Sequence, residues 1–338
     1  MYSAHKFSQA LIDRIIKMLF LLVVMSGCSY RSDTPLLATS TMSNMMEDAI
    51  PSVEFPTPIP TYTPAPADLS GYVVFTGYVE YPIPEIFLAN LDTREIQQLT
   101  YLPSGASNPK WSPDGSKIAF VANEAGNSDV YIMNRDGSNQ TKLTDYAGYD
   151  AQLNWSPDGR KIVFVSDRDG SNSIYEVDVI TMRVVQLTFG DYSDGEPSWS
   201  PDGKQIAFIS NRTPGSGVFI MNADGSDVKK VSKMEFVGHA RPVWCPDSAC
   251  LIYEIDVGKN VTKLYLLNLT MMEETPLLSE KDLTSSQTTE WYASRSPKRG
   301  YILIWMFSND SNLLYAYDVN KKSLYSLGLY GSEADLYP

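Results

Sequence analysis

The side chains best placed for chemistry in this chain are carboxylates. Asp150, Asp194 and Glu290 each sit in a polar connection between apolar runs. Two carboxylates about 5–10 Å apart in an enclosed funnel can share general acid–base work, as in hydrolases and lyases. Sequence alone does not fix the separations among these three. The chain has two histidines, His5 and His239. No Gly-x-Ser-x-Gly elbow accompanies His239, and a lone loop histidine is more often a solvated residue than a base. Cys/His spacings of a zinc site and a phosphate-cradling glycine loop are both absent. Asp167-Arg168-Asp169-Gly170-Ser171-Asn172 approaches a calcium-loop pattern but lacks the downstream bidentate Glu, so it reads as a polar loop. The expectation is therefore no catalytic residue, no metal and no cofactor, in a non-catalytic binding protein. A hydrolase or lyase working in an acidic funnel is the alternative reading. A ligand sensor ranks third, because no output module is encoded.

The elements that would position these residues announce themselves by repetition. Trp111-Ser112-Pro113-Asp114-Gly115 returns as Trp155-Ser156-Pro157-Asp158-Gly159 and as Trp199-Ser200-Pro201-Asp202-Gly203. A worn copy stands at Trp244-Cys245-Pro246-Asp247-Ser248, and a faint one at Arg295-Ser296-Pro297-Lys298. A period of 40 to 50 residues with strand-like text between copies marks a β-propeller. Within a unit, Trp155 ends one strand and the Pro-Asp-Gly turn reverses the chain. Lys161–Val165, Ser173–Asp178 and Val184–Thr188 supply three more strands. Four antiparallel strands make a blade. The repeated tryptophans read as wedges between blades. Six blades follow, at roughly 72–100, 108–144, 152–188, 196–232, 241–279 and 288–328. The first lacks its own inner strand, and Glu333–Pro338 reads as the missing piece. The C-terminus then closes the ring and removes open sheet edges.

With Lys-Ile-Ala-Phe and Ile-Tyr-Ile-Met-Asn-Arg-Asp-Gly between the turns, these units resemble the PD40, or WD40-like, repeats of the TolB family. The resemblance covers about residues 70–338. It implies an all-β, six-bladed propeller with four antiparallel strands per blade, and suggests a part in an envelope assembly or transport complex. TolB carries an α/β domain ahead of its propeller, for which this chain has no room. The hydrolase domain of prolyl-oligopeptidase-type enzymes, which share these repeats, has no counterpart either.

The amino terminus carries Lys6, Arg14 and Lys17 before an apolar run, Met18–Met25, too short to span a bilayer. It ends in Met25-Ser26-Gly27-Cys28, which resembles the bacterial lipoprotein cleavage box. That pattern implies cleavage before Cys28 and lipid on Cys28, with enough chains for stable anchoring. An ordinary signal peptide with an incidental Cys is the alternative. Residues 29–68 lack periodicity and are rich in Pro and Thr, the composition of an extended spacer. The expected organisation is a signal peptide at 1–27, a lipidated Cys and disordered linker at 28–68, and the propeller at 69–338. The protein is thus expected to be exported and anchored by lipid to the bacterial envelope, at the periplasmic face or cell surface.

Net charge is −13. Residues 1–68 hold four basic and six acidic side chains, which leaves −11 for the propeller. Such a domain repels phosphate backbones, so nucleic acid is not an expected partner, and membrane contact is expected through the lipid alone. With Cys28 acylated, Cys245 and Cys250 remain, flanking one hairpin turn. Exported domains permit a disulfide there; two buried thiols are the alternative. In a propeller the Pro-Asp-Gly and Asp-Gly turns share one face, while second-to-third-strand loops and blade crossings share the other. Function concentrates on such longer loops. Tyr146, Tyr149, Asp150, Arg168, Tyr192, Asp194, Arg212, His239, Glu290 and Trp291 fall there and form the candidate binding face. The expected partner is an envelope protein or peptide, or a glycan, met by a monomer.

Overall fold

The computed structural model describes residues 69–80, 83–124, 126–233, 241–256, 262–277, 290–295, 301–308, 311–318, 321 and 323–337. Cys28 and His239 lie outside these residues, as do 296–298 of the faint repeat. The described chain forms six four-stranded antiparallel sheets. Blades two to six each take their strands in sequence order, from Ala106–Trp111 in blade two to Ser323–Tyr330 in blade six. Blade one is Tyr72–Glu80, Ile83–Asn90 and Ile96–Gln98, completed on the inside by Ser332–Tyr337. Tyr72 pairs with Tyr337 and Val73 with Leu336, so the two ends of the described chain share one ladder. The expected closure by the C-terminal strand is the observed one.

The core is six clusters rather than one, each shared by consecutive blades. Val74, Ile86 and Leu99 of blade one meet Trp111, Ile118 and Phe120 of blade two. Blade two meets blade three around Val121, Ile132, Trp155 and Phe164. Three further clusters carry the pattern round to blade six. Leu303, Leu314 and Leu327 then meet Val73, Ala89 and Leu336, and the ring is shut. Because successive side chains of a strand point to opposite faces, Ile162 and Phe164 face blade two while Val163 faces blade four. Both faces are buried, which is why the second strands read as unbroken apolar text rather than alternation. Trp111, Trp155, Trp199 and Trp244 are all buried in these inter-blade clusters.

The repeat turn is held from within. Ser112 Oγ accepts the Lys117 N–H at 2.9 Å and donates to Asp114 Oδ1 at 2.6 Å, while Gly115 takes φ +70°. Ser156 with Asp158, and Ser200 with Asp202, repeat the arrangement. These contacts hold all three aspartate carboxyls below their usual value, chiefly through the serine hydroxyl. In blade five Cys245 and Cys250 replace the serine and its amide partner, and the two are joined in a disulfide. Ser248 there takes φ +59° in place of the glycine. The covalent bond spans the same two positions that a hydrogen bond spans in the sister blades.

Candidate functional site

The loop face brings several expected residues together, and mostly locks them to one another. Asp150 opens the inner strand of blade three and is fully buried. Arg168 Nη2 reaches both its oxygens, at 2.8 and 3.0 Å, and Nε bonds Ser166 Oγ at 2.8 Å. The guanidinium lies over the rings of Tyr146 and Tyr175. Blade four repeats this 44 residues on. Arg212 Nη2 meets Asp194 at 2.8 and 2.9 Å, Nε meets Ser210 Oγ, and the Tyr192 ring covers the guanidinium. A buried carboxylate requires such a partner. Asp150 and Asp194 are thus neutralised at their own blades. Glu290 and Trp291 begin the inner strand of blade six.

What the crossings leave open is aromatic and acidic, Asp145 and Asp191 being exposed there. Tyr101 is 75% and Phe189 68% exposed, and Tyr149 and Tyr192 are each 40% exposed. All four lie in crossings from one blade to the next. Burial raises the Tyr149 hydroxyl, and the carboxylates Glu196 and Glu333 push it further the same way.

The axis itself holds a cavity of about 290 Å³. Its wall is made by the inner strands of blades two to five and the closing strand, and ends at Pro113, Pro157 and Pro201 of the repeat turns. The residue three places before Trp111, Trp155 and Trp199 bulges out of its ladder. Asn108, Gln152 and Glu196 take φ between +50° and +55°, and Glu333 takes +49° in the closing strand. Each inner ladder shifts register at this point. The bulged side chains bind the following blade. Glu333 Oε2 accepts the Asn108 N–H at 2.8 Å, Asn108 Oδ1 accepts the Leu153 N–H at 3.2 Å, and Gln152 Oε1 accepts the Glu196 N–H at 3.0 Å. Glu196 Oε1 then accepts from Arg241 Nε at 3.1 Å. Burial would lower the Arg241 guanidinium, but Glu196, Glu254 and Glu333 outweigh it and raise it instead.

Glu196 and Glu333 were expected among the acidic residues of the blade crossings, whereas Asn108, Gln152 and Arg241 were not expected at a binding face. One signal could have found them: the innermost strand lines the axis, and position −3 from each Trp is polar in four successive repeats. Among the described residues, Cys245, Asp247 and Cys250 come within metal-ligand reach of one another. Their sulfurs are bonded to each other, so they offer no thiolate to a metal.

Comparison with known proteins agrees with this geometry. The TolB from Acinetobacter baumannii superposes with a TM-score of 0.65 at 19% identity, covering 80% of this chain and 67% of that one. An oligogalacturonate lyase from Vibrio parahaemolyticus superposes with a TM-score of 0.51 at 17% identity, over 75% of this chain and 73% of that one. At these identities the likeness is one of fold. In sequence, the Tol-Pal system protein TolB of Syntrophus aciditrophicus is 35% identical over 60 residues, and that of Thioalkalivibrio sulfidiphilus 37% over 41. These stretches are 18% and 12% of this chain, and span only 13% and 9% of the two relatives. The TolB beta propeller domain (PD40) matches residues 56–292, from the segment before blade one into the inner strand of blade six, and the chain belongs to that family.

Proposed function

We propose that this protein is a lipid-anchored, non-catalytic binding module of the bacterial cell envelope, and that its loop face receives a protein partner. The observation that carries this reading is the set of aromatics on that face. Asp150, Arg168, Asp194 and Arg212 are paired inside their own blades. Tyr101, Tyr149, Phe189 and Tyr192 are exposed there, as are the carboxylates Asp145, Asp169 and Asp191. Aromatic side chains around a polar rim are what protein interfaces are anchored on. A catalytic funnel would instead need carboxylates at liberty to exchange protons.

The strand order supports a consistent orientation. Tyr72–Glu80 runs from the turn face to the loop face, so a tether joined ahead of Leu69 enters at the turn face. Lipid on Cys28 and a Pro/Thr-rich spacer would then leave the loops pointing away from the membrane. The names of the TolB relatives, which belong to a Tol-Pal system, favour an envelope protein as partner. The acidic propeller disfavours nucleic acid and anionic lipid.

The test is crosslinking from intact cells, with the full chain and with Tyr101, Tyr149, Phe189 and Tyr192 changed to Ser. A dominant protein crosslinked by the parent and lost in the variant supports the reading. A partner retained by the variant moves the interface off this face. Metabolic lipid labelling that survives Cys28→Ser would remove the anchor.

A further inference from the structure

Among the described residues, every exposed aromatic side chain lies toward the loop face. Tyr101, Tyr149, Phe189 and Tyr192 stand in the crossings, Tyr78 near the end of a strand that runs up to that face, and Tyr330 where blade six passes to the closing strand. The turns on the opposite face expose Ile180, Met182 and Met271, which carry no ring. From blade one to blade four, the loop face also keeps its carboxylates and uses up its cations. The crossings 100–105, 143–149 and 187–193, with the loops 167–172 and 211–216, contain Asp145, Asp167, Asp169 and Asp191 against Arg168 and Arg212. Both arginines are held by the buried Asp150 and Asp194. Lys142, beside the second crossing, is divided between Asp129 and Asp145. Among the described residues, no Lys or Arg pairs with Asp167, Asp169 or Asp191.

The rings and the carboxylates stand side by side. Asp167 Oδ1 accepts the Tyr149 N–H at 3.0 Å. Ser171 Oγ donates to the Gly190 carbonyl at 3.2 Å, so the loop carrying Asp169 lies against the crossing that carries Phe189, Asp191 and Tyr192. A ring face attracts a cation through its quadrupole, and a carboxylate attracts it by charge. Together they suit a guanidinium, which stacks flat and donates in a fork. The molecule makes this arrangement for its own arginines: Arg168 bonds Asp150 and lies 5.1 Å over the Tyr146 ring, and Arg212 bonds Asp194 and lies 5.3 Å over that of Tyr192. The axis behind the face is acidic too, with Glu196, Glu254 and Glu333 around Arg241. A neutral glycan would use the rings and leave the carboxylates idle, and an acidic partner would be repelled.

Resting on the loop-face reading above, we infer that the partner received there presents a basic, arginine-bearing segment. Its guanidinium groups stack on Tyr149, Phe189 and Tyr192 and pair with Asp167, Asp169 and Asp191 beside them. The acidic propeller steers such a segment in from a distance, and the rings give it a place to stop.

The probes are a short glycine peptide carrying alternate arginines and its counterpart with citrulline, which keeps the shape of arginine without the charge. Titration calorimetry with the full chain in a non-ionic detergent should show saturable binding of the arginine peptide, weakened by added salt. The citrulline peptide should bind roughly tenfold more weakly or worse. Asp169→Asn with Asp191→Asn should weaken the arginine peptide roughly fivefold. Asp136→Asn with Asp224→Asn makes the same change of charge at turns of the opposite face, and should leave binding as in the parent. No binding of the arginine peptide, equal binding of citrulline, or equal loss from the two pairs of changes would each overturn the inference. The intact-cell crosslink separates the two readings. A protein partner lost with the Tyr101, Tyr149, Phe189 and Tyr192 changes but kept by Asp169→Asn with Asp191→Asn leaves the loop-face interface standing and removes its basic chemistry. A partner kept by both variants removes the interface itself.

Discussion

Tyr337 Oη donates to the Asp114 carbonyl at 3.0 Å, so the last strand of the ring grips the first repeat turn across 223 residues of sequence. The same ring packs on Trp111, with centroids 5.6 Å apart. Arg135 lies beside it, 3.6 Å from the Tyr72 ring centre and 5.7 Å from that of Trp111. Closure is thus a side-chain lock as well as a ladder. Removing residues 332–338 should lower the melting temperature by roughly 10 °C or more, since a whole inner strand and its inter-blade contacts are lost. Gly115→Ala should damage the same lock, because an added Cβ would lie 2.3 Å from the Tyr337 ring at a φ of +70°. Thermal unfolding of both variants checks this; unchanged curves would mean the closing strand is dispensable.

Arg168→Ala leaves the Asp150 carboxylate buried without its cation. A loss of roughly 3–5 kcal/mol is expected, as for other buried pairs broken on one side. Asp150→Asn with Arg168→Ala should cost clearly less than the sum of the single changes. Chemical denaturation of the double-mutant cycle measures this coupling, and additive losses would show that the pair does not act as a unit.

Blade five should depend on its disulfide. Cys245→Ser with Cys250→Ser should cost about 2 kcal/mol, the scale for a short cross-linked loop. Adding Ser248→Gly should return roughly 1 kcal/mol, because Ser248 sits at φ +59° where a side chain is strained. Urea midpoints of the two variants decide the matter, and no recovery with glycine would contradict the strain.

Acid should find the repeat turns. The Asp114, Asp158 and Asp202 carboxyls are held below their ordinary value of 3.8 in the folded protein. A group depressed on folding favours the native state above its unfolded value, and that benefit disappears as pH falls through the folded one. Stability should therefore drop on acidification below about pH 4. Ser112→Ala, Ser156→Ala and Ser200→Ala together should make that drop shallower, whatever they cost at neutral pH. Melting curves from pH 6 to pH 2.5 test the slope.

The fold was legible because its signal is repeated. Three intact Trp-Ser-Pro-Asp-Gly turns fixed the period, and the period placed strands that lacked any motif, including the closing one. Where local text was misleading, bounds slipped. The apolar text Tyr72-Val73-Val74-Phe75 marks only half of a strand that runs on through Gly77 to Glu80, because its neighbour Ile83–Asn90 continues the ladder past the glycine. The site was less legible. Loop position marked Asp150 and Arg168 as surface residues, but their 18-residue separation gave no hint that they meet inside blade three. The axial residues were hidden by a conformation: a left-handed residue in the inner strands of blades two, three and four turns Asn108, Gln152 and Glu196 toward the next blade, and no turn-forming sequence advertises it.

The seam of this ring runs through blade one rather than between blades. The latch therefore belongs to the chain ends, and the stretches from one repeat tryptophan to the next behave as cassettes. A cassette could be duplicated or dropped without touching Tyr72 or Tyr337, and the ends would still have each other to pair with. Blade five indicates how loosely a cassette is specified: with cysteine for serine and serine for glycine at its turn, it still passes the same four strands to its neighbours.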